Sequence, residues 1–223
     1  NIKGRLMDLS TPQVMGILNV TPDSFYSGSR KQTEMEIAQR ANQIIEEGGS
    51  IIDVGAFSTR PGADEVSEEE EGRRLKFALD IVRREQPDAA VSVDTYRPTL
   101  ARKCIEEWGA DIINDVSEGG ITGIVNVPLE QRQEEYPEMF RVVGELKVPY
   151  ILMSVQPTLE TMMKGFAREV QQLRDLGAKD IILDPGFCFG KNLIQNYQIY
   201  NEMEKLNVME LPVLVGISRK SMI

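Results

Sequence analysis

Histidine is absent from this chain of 223 residues, and cysteine is scarce. Without an imidazole, these residues cannot form a Ser-His-Asp triad, a two-histidine metal site or an imidazole general base. The two cysteines, Cys104 and Cys188, are not spaced as a CxxC pair or as another set of metal ligands. We therefore expect reduced thiols and a cytoplasmic location rather than a disulfide framework.

Basic residues and long apolar runs are also in short supply. Lys and Arg number 25 against 35 Asp and Glu, which gives a formal net charge of −10. A phosphate backbone binds to a basic surface, so this charge argues against a nucleic-acid partner. No run approaches the roughly 20 apolar residues of a membrane helix, so we expect no membrane partner. The hydrophobic content, 41%, is typical of a globular domain.

Short apolar runs alternate with longer amphipathic stretches along the chain. Most of these runs are rich in β-branched residues and lack strict polar alternation, which is typical of strands buried on both faces of a parallel sheet. Repeated strand–helix units of this kind predict an α/β fold. The predicted strands are residues 14–18, 50–54, 89–93, 111–113, 150–153, 180–183 and 212–215, and the predicted helices are residues 33–47, 67–84, 98–107, 134–145, 158–176 and 193–206.

Polar residues follow almost every predicted strand at its carboxyl end. In a (β/α)8 barrel these ends meet at one mouth, where active sites are built. In an open, doubly wound sheet, which is the alternative architecture, they would be spread along an edge. We therefore favour a TIM barrel, with residues 1–223 as a single domain. The polar residues concerned are Asn19, Asp53, Asp94, Asn114, Asp184, Ser218, Arg219 and Lys220.

Two long motifs accompany the first and second strands. Residues 16–25, GILNVTPDSF, run from a strand into a polar loop. Thr, Pro, Asp and Ser are all turn formers, so a simple capped turn would explain this loop equally well. Residues 51–62, IIDVGAFSTRPG, place Asp53 near the end of an apolar strand, where a carboxylate is costly unless it is satisfied. The loop that follows contains Thr59, Arg60 and Pro61.

Together these motifs resemble the two signatures of the dihydropteroate synthase family of pterin-binding barrels. Further segments resemble the family's third, fourth, sixth and seventh strands, in the same order. The motifs are long, and the resemblance extends over nearly the whole chain. The further segments are residues 91–95 (VSVDT), 111–115 (DIIND), 183–191 (LDPGFCFGK) and 216–221 (GISRKS).

The resemblance implies that the chain condenses 6-hydroxymethyl-7,8-dihydropterin diphosphate with p-aminobenzoate to give dihydropteroate and pyrophosphate. It also implies Mg²⁺ as cofactor and a homodimer as the assembly. Departure of the diphosphate leaves positive charge on the pterin methylene, which a nearby carboxylate stabilises. The arylamine is already largely neutral near pH 7, so the reaction needs no strong general base, in keeping with a site without histidine.

The same resemblance implies roles for individual residues. Asp94, Asn114 and Asp184 hold the pterin, whose edge of N–H donors and acceptors suits Asp and Asn side chains. Lys220 contacts the pterin ring, and Asn19 contacts the metal or the diphosphate. The residues expected to act in catalysis are Asn19, Arg60, Asp94 and Lys220, with Asn19 as the metal ligand. The residues expected to contact substrates are Asp53, Asn114, Asp184, Met153, Phe187, Phe25, Thr59, Pro61, Phe189, Gly216, Ser218 and Arg219.

Several of these residues also have an ordinary structural interpretation. Asp94 could cap the helix that follows it, and Asp184 could form a turn before the next proline. Phe25 and Phe189 could be core aromatics. These interpretations explain neither the whole set nor its order along the chain.

The chain departs from the family pattern in several places. Ser154 stands where the family usually has histidine, and residues 26–29 (YSGS) replace the usual Ser-Asp-Gly-Gly. Residues 117–133 form a long connection to which we assign no role. The family's eighth strand–helix unit, with its Arg-x-His element for the diphosphate, does not occur before Ile223. We therefore expect the working protein to extend by about 40–60 residues beyond Ile223.

Two other functions stay open from the sequence. A methyltetrahydrofolate–corrinoid methyltransferase shares the barrel and the pterin-reading Asp and Asn residues. It lacks loops of the form found at residues 59–61 and 218–220. A non-catalytic pterin-binding protein is the second alternative, and the presence of both loops argues against it.

Overall fold

The computed structural model describes Ile2 and residues 4–20, 30–57, 66–119 and 136–223, with only the backbone described at Arg30. Backbone contacts divide the chain into two compact units, Asn1–Asn114 and Asp115–Ile223. Each unit contains strands that alternate with helices, as the apolar pattern predicts. The assignment of residues 1–223 to one barrel domain stays a prediction.

The described residues of the first unit form four parallel strands in the order β1-β2-β3-β4. Each strand pairs with the next strand along the chain, and a helix connects each pair, as parallel strands require. The elements are β1 (Met15–Asn19), α1 (Arg30–Glu46), β2 (Ile51–Gly55), α2 (Glu68–Glu85), β3 (Ala90–Asp94), α3 (Pro98–Glu106) and β4 (Ile112–Asp115).

Alternate residues of these strands form the apolar core of the first unit. Ile52, Val54, Val91 and Val93 are fully buried and belong to one cluster with apolar side chains of the helices, such as Leu79 of α2. Burial of a side chain of this size stabilises the fold by about 1.5–3 kcal/mol. The intervening strand residues point to the opposite face. That second face carries Asp53, Ser92, Asp94 and Asn114 among apolar residues, and it contains the candidate site.

Local sequence signals set where the helices of the first unit begin and end. Ser67 caps α2, and its hydroxyl accepts a hydrogen bond from Glu70 N at 3.2 Å. Pro98 begins α3, at a position where its missing N–H leaves no helical bond unmade. Gly48 follows α1 with a φ of 95°, a left-handed conformation that glycine adopts without a Cβ penalty.

The described residues of the second unit, 115–119 and 136–223, form two paired strands and three α-helices. β5 (Tyr150–Met153) runs parallel to β6 (Ile181–Asp184). The Tyr150 side chain is fully buried, and its hydroxyl donates to Asp115 at 2.6 Å, so its polar end is satisfied within the core. The helices are α4 (Glu138–Leu146), α5 (Leu159–Asp175) and α6 (Leu193–Glu202), which is followed by a 3₁₀ segment at Met203–Met209.

The strand predicted at residues 212–215 is wrong in extent. Only an isolated bridge between Val213 and Leu183 is formed. Leu183 N donates to Pro212 O, and Leu214 N donates to Leu183 O. Pro212 has no N–H of its own, so it cannot donate a bond that would lengthen the ladder. The predicted helix 193–206 also ends early, because its last turn belongs to the 3₁₀ segment.

Most observed strands extend further toward their carboxyl ends than predicted. The parallel ladder continues past the apolar run: Val20 N donates to Gly55 O at 2.8 Å, and Ser154 N donates to Asp184 O at 2.8 Å. The polar residues near these ends therefore belong to the strands and not to the loops that follow. A functional side chain on a strand is held more firmly than one on a loop.

Candidate functional site

Three of the residues predicted at the ends of the first four strands, Asn19, Asp94 and Asn114, lie in one row across the sheet. Asn19 is in register with Gly55, Gly55 with Asp94, and Asp94 with Asn114. Residues aligned in this way on parallel strands point to the same face of the sheet. Asp53 lies two residues before Gly55, so it shares that face one step toward the amino end. The structure therefore brings four predicted site residues together in the first unit.

Gly55 leaves the space that the Asn19 side chain occupies. A Cβ atom at position 55 would lie 2.7 Å from Asn19 Oδ1 and 3.5 Å from Asp94 Oδ2. The Asn19 amide thus lies over the bare backbone of Gly55, beside the Asp94 carboxylate. Both side chains supply oxygen atoms at the carboxyl end of the sheet.

Asp53 and Asn114 form a buried pair that spans β3. Their side chains are almost inaccessible, and Asn114 Nδ2 donates to Asp53 Oδ2 at 3.1 Å. The residue between them on β3 is Ser92, whose small side chain leaves room for this contact. Burial raises the pKa of the Asp53 carboxyl, while the neighbouring Ser92 and Asn114 side chains oppose that rise. Burial dominates because a carboxylate is costly to desolvate.

This pair fixes which atoms face a ligand. Because one N–H of Nδ2 donates to Asp53, the Asn114 amide is oriented with Oδ1 as its acceptor. Within the described part of the chain, Asn114 Oδ1 and Asp53 Oδ1 are buried and accept no hydrogen bond. Buried acceptors without donors are rare in folded proteins, and they indicate a binding site for N–H groups.

Asp94 does not cap the helix that follows β3. The cap position of α3 belongs to Arg97, which makes no side-chain cap bond. Asp94 is instead the final residue of β3, half-buried, in the polar row. The simple capping interpretation is therefore wrong for Asp94.

In the second unit, Asp184 ends β6 in register with Met153, the last residue of β5. Asp184 Oδ1 accepts a hydrogen bond from Gly186 N at 2.7 Å. The turn interpretation of Asp184 is thus confirmed. The contact uses one carboxylate oxygen for the turn, and it fixes the side chain at the carboxyl end of β6.

Lys220 lies against the loop that follows β6. Its Nζ donates to Phe187 O at 2.6 Å and lies 4.6 Å from the centroid of the Phe189 ring. Burial lowers the pKa of Lys220, and the Asp184 carboxylate opposes that change. A partly buried cation held by a carbonyl and an aromatic face is well placed to contact an anionic or aromatic ligand.

The two phenylalanines of this loop differ in environment. The Phe187 side chain is fully buried and packs edge-on against Tyr200, with 6.1 Å between ring centroids. Its carbonyl, and not its ring, holds Lys220. Phe189 is half-buried beneath the Lys220 ammonium, so it is not an ordinary core aromatic. Ser218 and Arg219 are exposed in a turn, and Gly216 precedes that turn.

Sequence reasoning assigned no role to Lys191, the last residue of the 183–191 motif. Its Nζ donates to the carbonyls of Ser154 at 2.9 Å, Gly186 at 2.9 Å and Phe189 at 3.1 Å. Burial lowers the pKa of Lys191 to about 8. The sequence feature that could have indicated a role for Lys191 is its position at the end of the 183–191 motif. Ser154, at the family's histidine position, is buried and contributes its carbonyl to this arrangement.

Comparison with known proteins identifies the family of this chain. The pterin binding enzyme family matches residues 15–223. The dihydropteroate synthase of Escherichia coli (strain K12) is 37% identical over 236 residues, which cover 99% of this chain and 78% of that protein. The chain belongs to the dihydropteroate synthase family of pterin-binding enzymes.

Solved structures of the same family share its fold. Xanthomonas albilineans dihydropteroate synthase with 4-aminobenzoic acid has a TM-score of 0.82 and 32% identity, over 98% of this chain and 77% of that one. The same enzyme in complex with 7,8-dihydropteroate has a TM-score of 0.78 and 30% identity, over 97% and 76% of the two chains. These dihydropteroate synthases are TIM barrels, so the predicted fold class is confirmed.

Four residues predicted to serve the dihydropteroate synthase reaction lie outside the described residues. They are Phe25, Thr59, Arg60 and Pro61. Their roles stay predictions.

Dihydropteroate synthases in general use a divalent metal ion. The part of the chain that the structure describes contains no cluster of three or more carboxylate, cysteine or histidine residues that would hold an ion by itself. The oxygen of Asn19 beside Asp94 fits a hard cation that takes most of its ligands from water and substrate. No helix among the described residues is long and apolar enough to cross a membrane.

Proposed function

We propose that this chain catalyses the condensation of 6-hydroxymethyl-7,8-dihydropterin diphosphate with p-aminobenzoate, with the residue roles given below. The observation that supports these roles best is the buried Asn114–Asp53 pair. Its two acceptor oxygens, Asn114 Oδ1 and Asp53 Oδ1, lie on the same face of the sheet as Asp94. The two residues are only 6% and 4% exposed, respectively. A pterin offers adjacent ring N–H and amino donors, which match such acceptors.

The first unit would bind the pterin and stabilise its cation. Asn114 and Asp53 accept hydrogen bonds from pterin N–H groups. The C–O bond to the diphosphate breaks with its electron pair on oxygen, which leaves positive charge on the pterin methylene. Asp94 stabilises that charge, because a fixed carboxylate is already oriented when the charge develops. The arylamine nitrogen then forms the new C–N bond and loses a proton.

For residues of the second unit, we assign the substrate contacts from the family resemblance. Asp184 and Met153, in register at the ends of their strands, contact the pterin. Lys220 contacts the pterin ring, and Phe189 provides an aromatic surface for p-aminobenzoate. Phe187 acts through its carbonyl, which holds Lys220. We assign the substrate contacts of Gly216, Ser218 and Arg219, and of Phe25, Thr59, Arg60 and Pro61, from the family resemblance.

Asn19 would hold Mg²⁺ together with substrate oxygens and water. Bound Mg²⁺ would neutralise negative charge on the departing diphosphate. Mg²⁺ usually retains several waters and needs few protein ligands. The position of Asn19 Oδ1 over Gly55 supports this role, because the amide oxygen is held at the edge of the polar row.

The test is pyrophosphate release from the pterin diphosphate, measured with and without p-aminobenzoate and with and without Mg²⁺. We expect release that requires all three components. Asp94→Asn should lower kcat by about 10²–10³-fold while the protein stays folded, because one preorganised charge is lost. A wild-type protein that binds the pterin without releasing pyrophosphate would indicate a non-catalytic binding protein. Transfer of a methyl group from methyltetrahydrofolate to a corrinoid would indicate the methyltransferase.

A homodimeric state and a cytoplasmic location also stay predictions from the sequence. Size-exclusion chromatography with light scattering would test the first, since a dimer has twice the mass of the chain.

A further inference from the structure

A buried carboxylate of α2 contacts the turn that follows Asp94. Glu71 is completely inaccessible to solvent. Its Oε1 accepts a hydrogen bond from the Thr95 hydroxyl at 2.6 Å, and its Oε2 lies 2.9 Å from Arg97 Nε. A buried carboxylate is costly unless it is paired. Both of its partners lie within three residues of Asp94.

Thr95 connects this carboxylate to two residues of the candidate site. It directly follows Asp94, and its backbone N donates to Asn114 O at 3.2 Å. Its hydroxyl donates to Glu71 and accepts from Arg97 N at 3.2 Å. Hydrogen bonds therefore hold both the main chain and the side chain of Thr95, between Asp94 and Arg97.

Arg97 extends the arrangement to the connection between β2 and α2. Its Nη2 donates to Val66 O at 2.6 Å, just before α2 begins. Tyr96, the residue between Thr95 and Arg97, packs edge-on against Phe57, with 5.1 Å between ring centroids. Phe57 follows β2 by two residues. Three consecutive residues after Asp94 thus contact Glu71, Phe57 and Val66.

We propose that Glu71 is a positioning residue that acts through Thr95 and Arg97 to hold Asp94 and Asn114 in the geometry that binds the pterin. This inference rests on the proposed function, because it concerns the same residues. A misplacement of about 1 Å in an active site can lower the rate by about 10²-fold. Replacing a buried ion pair by apolar residues often leaves stability unchanged or higher. The position of the Glu71 pair at the carboxyl ends of the strands favours a role in function.

The same helix supplies a matched control at the amino ends of the strands. Arg83 Nη2 lies 2.5 Å from Asp111 Oδ2, and Asp111 directly precedes β4. Asp111 also accepts from Val91 N at 2.9 Å. This pair is buried to a similar extent as the Glu71–Arg97 pair, and each pair has one member on α2. It lies away from the candidate site. Contacts at the amino ends of barrel strands serve stability.

The experiment compares Thr95→Val, Thr95→Ser, Arg97→Met and Glu71→Gln with the control Arg83→Met. For each, we would measure kcat and KM for pyrophosphate release, the Kd for 6-hydroxymethylpterin by fluorescence titration, and stability in urea. Thr95→Val and Arg97→Met should lower kcat by about 10–100-fold and weaken pterin binding. Thr95→Ser keeps the hydroxyl and should restore both. Arg83→Met should lower stability while kcat and pterin affinity stay within about twofold of wild type.

The inference is overturned if Thr95→Val and Arg97→Met fold and keep wild-type kcat and pterin affinity. It is also overturned if Arg83→Met lowers kcat as strongly as they do, because the effect would then be general. The comparison of Thr95→Val with Thr95→Ser tests the positioning role even if Glu71→Gln does not fold. Absence of pyrophosphate release in the wild type contradicts the proposed function alone, because pterin titration of the same variants still tests the positioning role.

Discussion

Gly55→Ala is the substitution that tests the candidate site most directly. The added Cβ would lie 2.7 Å from Asn19 Oδ1, whereas ordinary contacts begin at 3.4 Å. The Asn19 amide would therefore have to move by roughly 0.7 Å, a displacement of the size that lowers enzymatic rates by about tenfold or more. The two contacts to Asp94 at 3.5 Å are ordinary, so Asp94 should stay in place.

The fold should tolerate this change. Gly55 is not among the glycines with positive φ, so alanine can adopt its backbone conformation. Replacing glycine by alanine at such a position restricts the unfolded chain and stabilises the protein by about 0.4–1 kcal/mol. This gain would offset part of the local strain. We therefore expect a folded protein with a specific defect at Asn19.

The assay is pyrophosphate release at a series of Mg²⁺ concentrations. We expect Gly55→Ala to lower kcat/KM about tenfold and to raise the Mg²⁺ concentration needed for half-maximal rate. Gly165→Ala is the control, since a Cβ at this position of α5 meets no atom closer than 3.8 Å. It should stabilise the helix by about 0.5–1 kcal/mol and leave the rate unchanged. Wild-type rate and Mg²⁺ dependence in a folded Gly55→Ala protein would refute the role of Asn19.

Three further substitutions address the pterin contacts, the core and the buried lysine. Asn114→Ala should raise the KM for the pterin diphosphate and lower stability by about 1–3 kcal/mol, because Asp53 loses its donor; an unchanged KM would contradict the assignment. Leu79→Ala should lower the free energy of unfolding in urea by about 2–5 kcal/mol at nearly unchanged kcat; a loss below about 1 kcal/mol would argue against the sheet–helix core. Because burial lowers the pKa of Lys191 to about 8 from 10.5, the folded state binds fewer protons than the unfolded state between these values. Stability should therefore rise with pH in this window by up to about 3 kcal/mol, and equal pH dependence in Lys191→Met would show that Lys191 does not cause the rise.

The alternation of strands and helices could be predicted because it depends on local patterns. Ser67 acts through its hydroxyl on the first turn of α2, whereas Pro98 and Gly48 act through their own backbone. All three effects are local, so they can be read from neighbouring residues alone. The site residues on strands could be predicted because polar groups interrupt apolar runs there. Asp53 is the clearest case, since an acid in an apolar strand requires a partner.

Other features depend on contacts between distant parts of the chain. Glu71 is the last of four consecutive glutamates in the sequence, and only the packing of α2 against the turn after β3 distinguishes it from the others. The orientation of the Asn114 amide depends on Asp53, which lies 61 residues away. At residues 212–215 the apolar run predicted a strand, but only an isolated bridge at Val213 is formed. Pro212 lacks an N–H and limits the ladder there.

Because side chains alternate between the two faces of a strand, a substitution in the core and a substitution in the candidate site can occur at neighbouring positions. Val93 faces the helices and is fully buried, while Asp94, the next residue, belongs to the polar row. Repacking residues such as Val93 or Val54 therefore offers a route to a more heat-resistant enzyme that leaves substrate recognition intact. A change in the polar row acts differently, because it alters atoms that the proposed function assigns to the pterin. Changes at adjacent codons can thus alter the thermal tolerance and the substrate recognition of this enzyme largely independently of each other.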